Sequence, residues 1–277
     1  MSSISVLILT FNEEVNLAEC IESCSWSDDI VVFDSFSSDR TEEIASGKKV
    51  RFIQRRFDNF AAQRNAALTE VRYKNSWALM VDADERVPED LAAEMAAAVG
   101  SADDDTVMFR MRRRDFFLGR WLRRSSGYPT WFGRLARIGR VRVERDVNEE
   151  YIADGKVAYL RAHLHHFPFN KGIAHWFEKH NRYSTMEAQA KIRTRGTPVS
   201  GRSFFSTDPI ERRRALKHAL YRVPLRPSIV FLYLYVVRMG FLDGRAGLAF
   251  SRMRASYELL IDLKVAEADR RDRGASV

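Results

Sequence analysis

In the stretch Trp77–Val87, WALMVDADERV, five apolar residues run directly into Asp82, Asp84 and Glu85. A D-x-D pair at the end of an apolar run suits a hard divalent cation, Mg2+ or Mn2+, which prefers oxygen ligands and keeps positions open for phosphate. If the chain stays extended through Asp84, strand alternation puts Asp82 and Asp84 on one side. Such triplets also arise as plain solvated turns, so the weight of this one comes from its position. Two further polar clusters close apolar runs in the same way: TFNEE after SVLIL, and DSFSSD after DIVVF.

The elements that must position these groups are legible from periodicity. Ile4–Thr10 reads as a buried strand, and Leu17, Ile21 and Cys24 follow at helical spacing. DIVVFDS is a second strand, and Ser38 to Glu42 turns into another helix with cap chemistry. VRFIQR is a third strand, Ala61–Val71 a helix and Trp77–Val81 a fourth strand. This β-α-β-α-β-α-β order predicts an α/β fold, a mostly parallel sheet with helices on both faces. Ligands of such sheets sit outside the carboxyl ends of the strands, where all three polar clusters fall.

The chain has 277 residues, enough for one large core with an appended segment. Its formal charge of +8 is uneven: residues 1–100 carry net −8, residues 101–200 net +9 and residues 201–277 net +7. A basic surface serves nucleic acid, anionic lipid or a phosphorylated substrate, and charge alone does not choose among them. Cys20 and Cys24 are too few for a structural zinc site and point to a reduced, cytosolic compartment. The N-terminus lacks a basic n-region and reads as a first strand, not a signal peptide. TRGTPVSGRS, residues 194–203, reads as a linker, which suggests a catalytic domain over 1–200, divided into halves 1–110 and 111–200, and a helical extension over 201–277.

SVLILTFNEEVNLAECIES, DDIVVFDSFSSDRTEEIA, NFAAQRNAAL, WALMVDADERVPEDL, LHHFPF, KHNRYS and GFLDGRAGL together resemble the family 2 inverting glycosyltransferases of the GT-A fold, in the branch of lipopolysaccharide core β-glucosyltransferases. The resemblance covers nearly the whole chain. It implies that Thr10, Phe11, Asn12 and Glu13 line a base and ribose pocket and that Asp34 holds the base edge. It further implies that Gln63, Arg64 and Asn65 approach the nucleotide, that Asp82 contacts ribose or metal-bound phosphate, and that Asp84 is the main ligand of Mg2+ or Mn2+. Without the resemblance, the QRN triplet reads equally well as an exposed helix face.

Inverting transfer needs a general base for the acceptor hydroxyl. The family's short V-H-E signature corresponds here to Val147-Asn148-Glu149, which makes Glu149 the candidate base, with Asn148 replacing the usual His and Glu150 as the fallback. The resemblance places His165 in the family's L-x-H position, facing metal and diphosphate, although a lone His is more often structural. Trp131 or Trp121 offers a stacking platform for a sugar, Arg134 belongs to a shared W-x-x-R-L pattern, and Lys179 is a cation for phosphate or simply a solvated side chain. The stretch 110–140 reads otherwise as a basic solvated surface.

Ile229–Val237 is a nine-residue apolar run, short of the roughly 20 residues that span a bilayer. Its basic flanks fit a helix lying on an anionic membrane, and packing on the catalytic domain or across a homo-oligomer interface is the alternative. The expected partners are a nucleotide-sugar donor, UDP-linked, and a glycolipid or lipid-linked acceptor at the cytoplasmic membrane face. No nucleic acid is expected, because the basic middle segment carries no recognisable binding motif. A nucleotidyltransferase on a similar sheet is the competing enzyme class; it would carry a glycine-rich basic loop where this chain has TFNEE. A non-catalytic basic binding protein is the second competitor.

Overall fold

The computed structural model describes residues 3–48, 50–144, 150–193 and 225–276. The chain divides into two compact units, one built from 1–116 and 128–170, the other from 117–127 and 171–277. The helix over 172–193 thus groups with the C-terminal segment, not with the sheet.

The first unit opens with β1 (Ile4–Thr10), α1 (Leu17–Ser23), β2 (Ile30–Asp34), α2 (Thr41–Gly47), β3 (Arg51–Gln54), α3 (Phe60–Glu70) and β4 (Trp77–Asp82), as the periodicity predicts. It continues through β5 (Glu85–Arg86), α4 (Glu89–Gly100), β6 (Thr106–Phe117), then, beyond β7 (Arg120–Trp121) of the second unit, β8 (Trp131–Arg137), β9 (Val141–Glu144), β10 (Glu150–Ala153) and β11 (Lys156–His166). The sheet runs in the order β3-β2-β1-β4-β8-β6-β11-β5, and β9 pairs with β10 separately. The pairs β3-β2, β2-β1, β1-β4 and β6-β11 are parallel, whereas β8 runs antiparallel to both its neighbours. This is the mostly parallel α/β sheet expected of the GT-A architecture.

Strands covered on both faces read as near-continuous apolar runs, and β1 does apart from Ser5, whose hydroxyl donates to Asp29. Ile4, Val6 and Ile8 pack with Leu17 and Cys20 of α1 and with Leu91 and Met95 of α4. Leu7 points the other way, joining Val31, Met80 and the Ala66, Ala67 and Leu68 stretch of α3. Each such aliphatic side chain contributes about 1.5–3 kcal/mol on burial. Together they fix the sheet and therefore its edge. Register then aligns the carboxyl ends, with Thr10 beside Asp34, Asp34 beside Gln54 and Leu9 beside Asp82.

The second unit contains α5 (Gly172–Arg193), α6 (Arg226–Leu232), a π-helical turn at Tyr233–Val237, a 3-10 turn at Gly240–Asp243 and α7 (Gly244–Asp272). Helices α5 and α7 pack through Ala188, Ile261 and Val265. Lys191 and Asp262 join them at 2.9 Å. The C-terminal helices expected from the sequence are thus present.

Candidate active site

The edge is organised first by Asp34. This carboxylate is fully buried and accepts from Thr10 Oγ1 at 2.8 Å, Ser37 N at 2.8 Å, Ser37 Oγ at 2.5 Å and Gln54 Nε2 at 3.3 Å. A carboxylate has about four acceptor positions, and these donors use them. Asn12 takes a left-handed backbone, φ 54°, which Asn tolerates better than most residues. Its N–H donates to Ser37 Oγ at 2.7 Å, while its Oδ1 accepts from Ser38 N at 2.8 Å. Glu13 N donates to Thr41 Oγ1, and Glu13 Oε2 accepts from Asn16 Nδ2. Two loops are thereby tied into one rim, from which the Phe11 ring projects, 56% exposed.

The D-x-D stretch does not stay extended. The chain turns at Ala83 and Asp84, and Glu85 re-enters the sheet as β5 paired with β11. Glu85 is fully buried, and its Oε2 accepts from Asp82 N at 2.9 Å, which closes the turn. The two aspartates therefore have different partners. Asp82 Oδ1 meets Arg64 Nη2 at 2.8 Å, and its Oδ2 meets Arg134 Nη2 at 2.6 Å. Arg134 also reaches Glu85 Oε1 at 2.8 Å, and Arg113 approaches the same oxygen at 3.5 Å.

Burial alone would raise the Asp82 carboxyl, but Arg134 and Arg64 outweigh it and hold the group well below the usual carboxylate range. Burial pushes the Glu85 carboxyl up, reinforced by Asp82 and opposed by Arg134. Arg134 is held cationic by both carboxylates despite its own burial. Both oxygens of Asp82, expected as a metal ligand beside Asp84, are engaged by guanidinium groups.

Asp84 lies with His166 instead. His166 Nε2 is 3.3 Å from Asp84 Oδ2, and its Nδ1 is 2.7 Å from Asp115 Oδ1. Burial and Arg113 act to lower the imidazole, but the two carboxylates prevail and lift it to about 9. His165, expected at this place, packs its ring edge-on to Phe116 at 5.0 Å, and burial lowers its imidazole. Adjacent residues of β11 face opposite sides of the sheet, so only one of the two can reach Asp84. Counting L-x-H from Leu164 lands on His166, and that spacing was the available signal.

Among the described residues, no group of three or more His, Cys, Asp or Glu side chains is poised to hold a metal ion. Asp84 and His166 supply one hard oxygen and one imidazole, a partial donor set. Such a set fits Mg2+ or Mn2+ if substrate phosphate and water complete the shell. Cys20 and Cys24 are buried free thiols; the hydrogen bond with Cys24 and burial both push the Cys20 thiol up, so it stays protonated and outside this chemistry.

The remaining predicted residues are dispersed. Gln63 is buried, donates from Nε2 to Ser35 Oγ at 3.1 Å and accepts from Arg55 Nη1 at 2.7 Å. Asn65 was expected to approach the nucleotide, but its amide is committed to β9: Nδ2 donates to Val143 O and Oδ1 accepts from Val143 N, both at 2.8 Å. Trp131 stacks over the Arg112 guanidinium at 5.1 Å and meets Tyr159 edge-on. Lys179 is exposed on α5 in the second unit. Glu149 and Asn148 lie outside the described residues. Arg113, Asp115 and His166 join Asp82, Asp84 and Glu85 in this cluster, and the sequence pattern had singled out the three acids of DADE alone.

The family model described as "Glycosyl transferase family 2" matches residues 5–174. A lipopolysaccharide core biosynthesis glycosyltransferase of Rhizobium meliloti is 27% identical over 95% of this chain and 91% of its own length. An uncharacterized glycosyltransferase of Rickettsia typhi is 32% identical over 38% of this chain and 36% of its own. Among solved structures, S. aureus TarS 1–349 in complex with UDP superposes with a TM-score of 0.44 at 15% identity, covering 94% of this chain and 91% of that one. Glucosyl-3-phosphoglycerate synthase from Mycobacterium tuberculosis, in complex with Mn2+, UDP and glucosyl-3-phosphoglycerate, gives 0.36 at 20% identity, covering 41% and 44%.

Proposed function

The chain belongs to glycosyl transferase family 2, and from that premise we propose that it transfers a sugar, with inversion, from a UDP-linked donor to a glycolipid or lipid-linked saccharide of the lipopolysaccharide core type. The observation that carries this reading is the alignment of Asp34, Gln54 and Asp82 along one sheet edge, with Asp84 and His166 paired at the turn beyond it. Family membership weighs against the nucleotidyl-transferring alternative. The acceptor class rests on the Rhizobium meliloti relative, whose name specifies lipopolysaccharide core biosynthesis.

In this reading the rim of Phe11, Asn12 and Glu13 borders the nucleoside, and Asp34 holds that rim in place. Asp84 and His166 would hold Mg2+ or Mn2+, which when bound would neutralise charge on the departing diphosphate. Asp82, fixed by Arg64 and Arg134, orients the turn and presents a carboxylate edge to the ribose. Glu149 takes the proton of the acceptor hydroxyl as it attacks the anomeric carbon. The working location is the cytoplasmic face of the membrane, where a lipid-linked acceptor is reached.

The test compares Asp84→Ala with Glu149→Gln by thermal shift and by transfer assay. Ligands that bind the native state raise its melting temperature. Asp84→Ala is expected to lose the Mn2+-dependent shift produced by UDP-sugars, and Glu149→Gln to keep that shift and lose transfer by at least about 100-fold, the scale of general base catalysis. Normal transfer by Glu149→Gln would remove the base assignment, and an Mn2+-dependent shift surviving in Asp84→Ala would remove the metal assignment.

A further inference from the structure

The motif GFLDGRAGL, residues 240–248, takes no part in the chemistry above, and in the second unit it builds an elbow. Asp243, buried in the 3-10 turn, accepts at one oxygen from Arg124 N at 2.9 Å, Ser125 N at 2.8 Å and Ser125 Oγ at 2.8 Å. Arg120 Nη2 donates to Leu242 O at 2.9 Å, so the 117–127 segment is clasped to the turn. Gly240 and Gly247 cross in close contact: a Cβ at Gly247 would lie 2.1 Å from Gly240 O. The result is a bend of 72° between Arg226–Val237 and Gly240–Asp272.

The arm before the bend is apolar apart from Arg226 and the exposed Ser228. Its inner side is fastened to α7 by Arg226, whose Nη2 lies 2.7 Å from Glu258 Oε2. Its outer side carries exposed apolar side chains among the described residues. Leu225, Ile229, Leu232, Tyr233 and Val236 recur at i, i+4, i+7, i+8 and i+11, one helical stripe, and all are exposed, Leu225 to 76%. Beside the bend, Val237 and Leu118 are exposed to 69% and 67%, together with Phe241 and Leu242. An uncovered stripe of this extent marks a surface that meets an apolar partner.

Charge identifies that partner. Residues 117–127 and 225–250 contain a single acidic residue, Asp243, and it is buried and consumed in the clasp. Arg123 and Arg245 are exposed. Apolar side chains flanked by cations, with no exposed acid, complement an anionic lipid surface. The first arm is about 18 Å long at 1.5 Å per residue, against about 30 Å of hydrocarbon. Among the described residues no single helix is long and apolar enough to cross a membrane.

We infer that this elbow is a docking surface for an anionic lipid bilayer, with the 225–237 stripe and Leu118 entering the headgroup boundary while Arg123 and Arg245 face lipid phosphate. The surface stands independently of the transferase reading, although it gives that reading's lipid-linked acceptor a place to be met.

The experiment sediments the full chain with vesicles of phosphatidylethanolamine and phosphatidylglycerol, or of phosphatidylcholine alone. Binding is expected to the anionic vesicles, roughly tenfold weaker to the neutral ones, and to weaken as salt screens the charges. The double variant Leu232→Asp with Val236→Asp should lose at least tenfold in partitioning while keeping its melting temperature and its UDP-sugar shift. Leu263→Asp, an exposed apolar position roughly 28 Å along α7 from the bend, should bind as the parent does. Wild-type protein that stays in the supernatant overturns the inference, as does a double variant that binds normally. A dimer dispersed by the double variant, without lipid binding, would assign the stripe to a second copy and likewise overturn it. None of these outcomes depends on donor binding or transfer, so failure here is separate from failure of the transferase reading.

Discussion

Arg134→Leu tests the reading that the D-x-D turn is organised by buried arginines. In the parent, one guanidinium nitrogen sits 2.6 Å from Asp82 and 2.8 Å from Glu85, and Arg134 and Glu85 are almost wholly buried. Removing the cation leaves Asp82 with Arg64 at 2.8 Å, but leaves Glu85 with the Asp82 N–H at 2.9 Å and, for charge, the longer contact to Arg113 at 3.5 Å. Breaking a buried pair by deleting one partner costs about 3–5 kcal/mol, and the uncompensated Glu85 carries most of that cost. With a urea slope of roughly 3 kcal/mol per M, the unfolding midpoint should fall by about 1–1.7 M.

Glu85→Gln added to Arg134→Leu should restore a large part of the loss, because a neutral amide needs no cation. Proton linkage gives a second signature. A carboxyl whose native pKa lies above its unfolded value makes the native state bind more protons, so stability falls as pH rises through that range. The Arg134→Leu deficit should therefore be larger at pH 8 than at pH 5. A midpoint within about 0.3 M of the parent, or a deficit that Glu85→Gln leaves unchanged, refutes the argument, since the ion pair would then be worth no more than an exposed one.

His166→Gln is expected to abolish the Mn2+-dependent thermal shift with UDP-sugars, whereas His165→Gln should retain it; the opposite pattern would return the site to His165. Asn65→Ala removes both hydrogen bonds to Val143 and should lower transfer by about tenfold, or about 1.4 kcal/mol, with donor affinity nearly unchanged, because the Asn65 amide is spent on the strand that precedes Glu149 in the chain. A matching loss of UDP-sugar affinity in titration calorimetry would place Asn65 at the nucleotide instead.

The strands and helices up to β4 were legible because each is governed by its own periodicity, as in the apolar VLIL run of β1 and in Leu17, Ile21 and Cys24 at helical spacing. The common edge was legible too, since parallel connectivity forces strand ends together. What the local pattern could not carry was the partner of each polar group. Asp82 and Asp84 look equivalent in DADE, yet the turn that separates them depends on Glu85 pairing with Arg134, 49 residues away, and on β5 pairing with β11. Asn65 looks like part of a ligand-facing QRN triplet, but its amide matches the backbone of Val143, 78 residues on. Likewise, the choice between His165 and His166 depends on which face of β11 looks toward Asp84, and sequence spacing becomes decisive only when counted from the right leucine.

The contacts around the turn carry their own argument for how donor and metal arrive. Asp82, Asp84, Glu85 and Asp115 face Arg64, Arg113, Arg134 and His166, so acids and bases are matched within one connected cluster. A nucleoside diphosphate entering alone would add at least two negative charges to a site that is already balanced and partly screened from water, where charge interactions are stronger than in bulk. In the proposed reading, arrival as a complex with a divalent cation would remove most of that excess, and Asp84 and His166 would be the residues to hold the cation. Metal and donor affinity should accordingly be mutually dependent, each raising the other by the same factor. Equal UDP affinity with and without Mn2+, measured by titration at fixed ionic strength, would show that the balanced cluster admits the diphosphate unaided and that Asp84 serves another end.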